Sequence, residues 1–184
     1  RYLNRRKKIK HKKYDICLPS VFRPFKHQAN NSWIKLLKIL SDLSSKKNYK
    51  IVVCSRYIEK ERFKNYIKQE KFFFKKHLNS FDFIERSEYS TYNMIENSNL
   101  TISSYNTTLF EGIALRKKIL FFDFGKIKYN NPGFRKVNGL KLFEDNPKHL
   151  EKNVEKIISM PQSEYLRRTK KFRKKICATD KRLY

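Results

Sequence analysis

Apolar and polar positions change period repeatedly along this chain, and the changes mark out its elements. Asp15–Phe22 (DICLPSVF) is a short apolar run that reads as a buried strand entering a turn at Pro24. Trp33, Leu36, Leu37 and Leu40 then recur at helical spacing behind Asn30 or Asn31, either of which suits a helix cap. Tyr49–Ser55 (YKIVVCS) is a β-branched strand, and residues 58–70 form a charged amphipathic helix with Phe63, Tyr66 and Ile67 inward. Phe81–Ile84 is a third strand after a connection over 71–80. A short helix over 90–97, a strand over Leu100–Ser104, a helix over 106–115 and a strand over Lys118–Phe124 follow. Beyond an irregular loop, 125–138, the pattern predicts a short strand over Gly139–Phe143 and a helix starting at Pro147. That helix carries Leu150, Val154, Ile157 and Ile158 on one face, and a basic helix runs from about Ser163.

Strands alternating with helices of this length imply βαβ units. The expected fold is therefore α/β: a doubly wound parallel sheet of about five or six strands with helices on both faces. Residues 1–13 read as a basic lead-in or interdomain linker, 14–160 as the α/β domain, and 161–184 as a basic helix packing on or beyond it. Parallel sheets bind ligands beyond the carboxyl ends of their strands, which directs attention to 19–30, 55–58, 84–90, 103–107 and 123–138.

Composition adjusts this picture in three ways. The chain is 39% hydrophobic and 15% aromatic over 184 residues, enough for a real core despite its charge. No apolar run reaches the roughly 20 residues of a membrane-spanning helix, and no secretory signal pattern is present. Cys17, Cys54 and Cys177 are scattered without CxxC spacing, which argues for reduced thiols and against a disulfide framework or a zinc site.

The net charge of +27 is loud but partly compositional: lysine supplies 31 of the 44 basic residues, while Asn (15) and Ile (16) abound and Ala (3) is scarce. Eight basic side chains lie in 1–13 and nine in 167–182, against Asp180 alone. Such tails attract nucleic acid, anionic lipid or phosphorylated substrates without distinguishing them. The stretch KFFFKKH, 71–77, interleaves aromatics with lysines as single-strand nucleic-acid surfaces do, but a helix packing Phe72 and Phe73 inward accounts for it more simply.

The candidate chemistry concentrates at Ser103, Ser104, Tyr105, Asn106, Thr107 and Thr108, where strand gives way to helix. A helix start offers free N–H groups and partial positive charge to an anion. Ordinary capping explains one hydroxyl there; it does not explain five polar residues followed by Glu111 in an apolar helix.

The segment NMIENSNLTISSYNTTLFEGIALRKKILFFDF, 93–124, resembles the donor-site region of GT-B glycosyltransferases. Glu111-Gly112-Ile113-Ala114-Leu115 is similar to their E-A-x-A-x-G-K-P stretch, with Arg116 and Lys118 in place of Gly and Pro. The loop holding Tyr129, Pro132, Gly133, Phe134 and Arg135 is similar to that of CDP-glycerol glycerophosphotransferases, and a weaker resemblance extends to UDP-N-acetylglucosamine 2-epimerases. In element order the likeness runs from Asp15 to Ser159. Where glycerophosphotransferases carry a His-Pro pair after the second strand, this chain has Ser55-Arg56-Tyr57.

The resemblance implies a Rossmann-like GT-B half that binds a nucleotide-activated donor in surface polysaccharide synthesis. Ser103–Thr108 would hold the diphosphate, Glu111 the ribose, and Ile84 and Glu85 the base, with Arg56 or Arg135 neutralising the leaving group. His27 is a further catalytic candidate; His77 receives no role, and the catalytic base stays unassigned. No metal and no tightly bound cofactor is expected, the donor being substrate. A glycan or lipid-linked acceptor, an acceptor domain upstream of Arg1, and an anionic membrane surface are the expected partners, at the cytoplasmic face. A non-enzymatic nucleic-acid-binding domain and a nucleotide-sugar epimerase remain alternatives.

Overall fold

The computed structural model of the chain describes residues 13–24, 27–87, 90–104, 106–125 and 136–179, the side chains of 27–29 and 176–179 excepted. Six strands form one wholly parallel sheet: β1 (Tyr14–Pro19), β2 (Ile51–Ile58), β3 (Asp82–Arg86), β4 (Ser98–Ser103), β5 (Ile119–Phe122) and, after a hairpin of β6 (Lys136–Val137) and β7 (Leu140–Lys141), β8 (Phe143–Glu144). Their spatial order is β3-β2-β1-β4-β5-β8, so the chain winds outward one way from β1 and then restarts on its other side at β4. That is the Rossmann-like order.

The helices are α1 (His27–Lys47), α2 (Lys64–His77), α3 (Ser90–Glu96), α4 (Thr107–Ala114), α5 (Pro147–Ser159) and α6 (Gln162–Thr179). Successive strand residues point to opposite faces, and both faces are covered. Phe122 meets Trp33 of α1 edge-on at 5.1 Å, whereas its neighbour Phe121 meets Phe110 of α4 at 5.1 Å. Helices α1, α2 and α5 pack together on one side; α6 packs on α4. Cys17 and Cys54 lie under Ile95 of α3, their sulfurs 3.8 Å apart as buried free thiols.

Several elements differ from the sequence pattern for identifiable reasons. Helix α1 begins at His27, so Asn30 lies in its first turn and donates to the Arg23 carbonyl at 3.0 Å. The helix expected over 58–70 is a 3₁₀ turn, Glu61–Phe63, followed by α2, which continues through the expected connection to His77. Its inward stripe is Ile67, Glu70 and Phe74, so Phe72 is 69% exposed rather than packed. The strand expected over Gly139–Phe143 is split, because Asn138 (φ 46°) and Gly139 (φ 75°) make a two-residue hairpin turn of the kind that needs positive φ twice.

Helix α4 lies close on β5. A Cβ on Gly112 would meet Ile119 Cγ2 at 3.2 Å, tighter than ordinary contact. The helix ends with Arg116 in the left-handed region (φ 60°), its N–H bonded to the Ile113 carbonyl and Lys117 N–H to Gly112. Lys118, also buried, donates its ammonium to the carbonyls of Ile158 and Met160 and closes α5. The Gly and Pro of the resembled stretch are thus replaced by residues with local structural work.

Candidate functional site

The restart of winding between β1 and β4 makes their carboxyl ends the topological switch point, the position where sheets of this order take ligands. The Ser103–Glu111 junction lies there because β4 ends at Ser103 and α4 starts four residues on. Two of its side chains are committed to the scaffold. Fully buried Ser103 donates from Oγ to the Pro19 carbonyl of β1 at 2.7 Å and accepts from Asn106 Nδ2 at 2.7 Å. Asn106 caps α4, its Oδ1 accepting from Leu109 N–H at 3.0 Å. Ser104 is buried, Thr108 half-buried and Thr107 exposed. Tyr105 lies outside the described residues.

Glu111, one turn into α4, accepts from the Tyr92 hydroxyl at 2.5 Å. Tyr92 belongs to the first turn of α3, so this bond ties together two helices that both start at the carboxyl edge. Glu111 is half-buried, and its bond to Tyr92 sets the carboxylate between α3 and α4.

A second junction on the same edge carries a feature the sequence pattern hides. Between Cys54 and Ile58 the β2–β3 register shifts, four steps on β2 matching two on β3. This bulge holds Ser55, Arg56 and Tyr57, and a carboxylate from α2 stitches it. Glu70 is 0% exposed; its Oε2 accepts from Ser55 Oγ at 2.5 Å and its Oε1 from Arg56 N–H at 3.1 Å. Burial raises the Glu70 carboxyl above its ordinary range, opposed by hydrogen bonds from Ser20, Ser55 and Arg56 N–H and by the Arg56 charge. The Arg56 guanidinium reaches back to the carbonyls of Val21 (3.4 Å) and Phe22 (3.5 Å), just past the end of β1, while Arg86 donates to the Arg56 carbonyl at 3.1 Å.

The structure therefore brings Ser103, Ser104, Asn106, Thr107, Thr108, Glu111 and Arg56 to one edge of the sheet. Ile84 and Glu85 lie on the outer strand β3, separated from β4 by β2 and β1; Ile84 packs against the Cys54 cluster and Glu85 is exposed. His27 opens α1 at the carboxyl edge, but its side chain, Arg135 and the 126–135 loop lie outside the described residues. His77 closes α2 at the opposite edge, where burial, then the charges of Lys76 and Lys38, lower its pKa. Among the described residues no cluster of three His, Cys, Asp or Glu side chains can hold a metal ion. A cavity of about 520 Å³ lies at the amino edge, beside Tyr14, Tyr49 and Asp82, away from the strand ends that concern ligand binding.

Glu70 is the residue the sequence pattern missed. Its signal was spacing: Ile67, Glu70 and Phe74 stand at i, i+3 and i+7, so a carboxylate occupies the buried stripe.

The model of a family described as "putative O-antigen biosynthesis protein" matches residues 25–182. The chain belongs to this O-antigen biosynthesis family. No curated protein matches it. Among solved structures, the wall teichoic acid polymerase TagF soaked with CDPG for 15 minutes is similar at 18% identity and a TM-score of 0.45, over 84% of this chain and 36% of that one. The same polymerase after a 30 minute soak gives 18% and 0.43, over 95% and 44%. Both likenesses are distant, and the family member described here spans less than half the length of those chains. No helix among its described residues is long and apolar enough to cross a membrane.

Proposed function

We propose that this chain supplies the donor-binding half of a transferase that moves a glycosyl or glycerophosphoryl group in surface polymer synthesis. The observation that carries this reading is the position of the Ser103–Glu111 junction at the β1–β4 restart, in a chain of the O-antigen biosynthesis family. The start of α4 offers backbone N–H groups and the positive end of its dipole to a diphosphate, with the Ser104, Thr107 and Thr108 hydroxyls beside it. Glu111 accepts hydrogen bonds from ribose hydroxyls, exchanging its bond with Tyr92 for them. The donor is a substrate; no tightly bound cofactor or metal enters the scheme, and positive side chains neutralise the departing diphosphate. The acceptor is a glycan or lipid-linked glycan presented by a further domain, at a membrane surface that the basic ends of the chain favour.

Thermal shift against CDP-, UDP- and GDP-linked sugars and CDP-glycerol tests the reading. At least one of them raises the melting temperature of the wild type. Glu111→Ala abolishes that rise, whereas Tyr92→Phe, which removes only the competing hydroxyl, retains it. The absence of any rise across the panel overturns the proposal.

A further inference from the structure

The bulge in β2 is an unusual use of a buried carboxylate. A carboxylate removed from water is costly unless its lone pairs are met, and among the described residues Glu70 has them met by Ser55 Oγ, Arg56 N–H and Ser20 rather than by an ion pair at bonding distance. All three donors belong to the carboxyl ends of β1 and β2. Bulges re-aim side chains and occur beside ligand sites. Here the extra residues turn Arg56 out of the ladder, and Arg86 fixes the bulge from the other strand through the Arg56 carbonyl.

The consequence is a guanidinium laid over the exit of β1. Two long contacts, to Val21 and Phe22 carbonyls, engage only part of its five-donor fork. The Pro19 carbonyl, two residues upstream of Val21, is the group that Ser103 grips from the β4 side. Arg56 therefore reaches from β2 across to the same strand end that the Ser103 junction holds. The strand separation of β2 from β4, about 10 Å at two strand spacings, is shortened by about half along its side chain.

The geometry points to a positioning role for Glu70 at this bulge: through Ser55 and the Arg56 backbone it aims the Arg56 guanidinium, the candidate cation of the donor site, at a phosphoryl-binding locus. The ligand class is the diphosphate of a nucleotide donor, its phosphoryl groups bridging the start of α4 and the Arg56 fork. This inference rests on the donor-site reading, in which Arg56 already stands as a candidate phosphate-neutralising group, and adds to it the device that aims it. Glu70 touches no ligand and acts through the backbone of Arg56.

Isothermal titration of the whole chain with CDP, UDP, GDP and inorganic pyrophosphate tests it in wild type, Arg56→Ala, Glu70→Gln, their double variant and Glu111→Ala. Arg56→Ala is expected to weaken the best-bound nucleotide about tenfold or more, the usual scale for a charge-assisted contact. Glu70→Gln weakens it roughly three- to tenfold by loosening the bulge, and in the Arg56→Ala background it changes affinity by less than about twofold. That non-additivity separates positioning from general destabilisation. If Glu70→Gln does not fold, Ser55→Ala loosens the same bulge and must show the same dependence on Arg56. Nucleotide binding that Glu111→Ala weakens but Arg56→Ala leaves unchanged overturns this inference alone. Independent, multiplying effects of Arg56→Ala and Glu70→Gln overturn the positioning role. Failure of the wild type to bind any of the four probes overturns the donor site and this locus together.

Discussion

The β4–α4 and β2–α2 junctions stand on either side of β1 and grip the same few residues, Pro19–Phe22, by opposite means. At β4–α4 the polar residues are neighbours in sequence and neutral, and two of them, Ser103 and Asn106, are used up in closing the strand end and capping the helix. At β2–α2 the polar partners come from 14 and 15 residues apart, and the decisive one is a fully buried carboxylate. A dense polar run at a helix start therefore reports first on scaffold, and in the proposed donor site it is the hydroxyls left over that would meet the ligand. An isolated charge in a buried stripe reports on a built feature, because nothing in the packing requires it.

The contrast breaks most visibly at Glu70. Glu70→Ala leaves the Ser55 hydroxyl and Arg56 N–H without their acceptor and opens a gap under β2; chemical denaturation is expected to show a loss of about 2–4 kcal/mol. The buried carboxyl also gives the stability a pH signature. Its pKa is raised in the fold above the ordinary 4.5, so the folded state favours the protonated form. Relative to Glu70→Gln, the wild type gains stability as pH falls from the raised value toward 4.5, is level below that, and loses the gain as pH rises again. A difference curve that is flat across this window, or slopes the other way, refutes the assignment of a strained buried carboxyl.

The matching change on the other side is smaller. Ser103→Ala removes the donor to the Pro19 carbonyl and the acceptor for Asn106 Nδ2, both at a buried site, for an expected loss of about 2 kcal/mol by denaturation. It leaves the Ser104, Thr107 and Thr108 hydroxyls in place, so nucleotide affinity in the remaining folded protein falls by no more than about threefold. A complete loss of binding would make Ser103 a ligand group rather than a strut.

How much of this was legible in the chain follows from the range of each interaction. Strands such as Ile51–Cys54 and helices such as Pro147–Ser159 show themselves because burial imposes a period on neighbouring residues. The Ser103–Glu111 junction was legible because its residues are contiguous. The phenylalanine run Phe72–Phe74 concealed the end of α2, since three aromatics in a row obey no period and only the fold decides that Phe74 turns in and Phe72 out. The β2 bulge was invisible for a different reason: it exists only through the pairing of Ser55 and Arg56 with Glu70 and of Arg56 with Arg86, contacts 14 to 30 residues apart. The hairpin at Asn138-Gly139 did carry a local signal, the Asn-Gly pair flanked by Val137 and Leu140, which a strand drawn through 139–143 passed over.

The finest distinction is at Asn106, where cap and ligand site share one helix end. Asn106→Ala deletes the acceptor for Leu109 N–H and costs about 1 kcal/mol. Asn106→Asp keeps that acceptor and adds a negative charge at the positive end of α4, worth about 0.3–1 kcal/mol, while giving up the Nδ2 donation to Ser103. The two changes offset, so the melting temperature of the Asp variant stays near that of the wild type. The added carboxylate, however, occupies the field that a diphosphate would use and repels it. The Asp variant should therefore bind nucleoside diphosphates about tenfold more weakly at low salt, with the deficit shrinking as salt screens the repulsion. Equal affinity for the Asp variant and the wild type at low salt would mean that the start of α4 serves only its own helix, and that the anion at this edge is held by Arg56 without it.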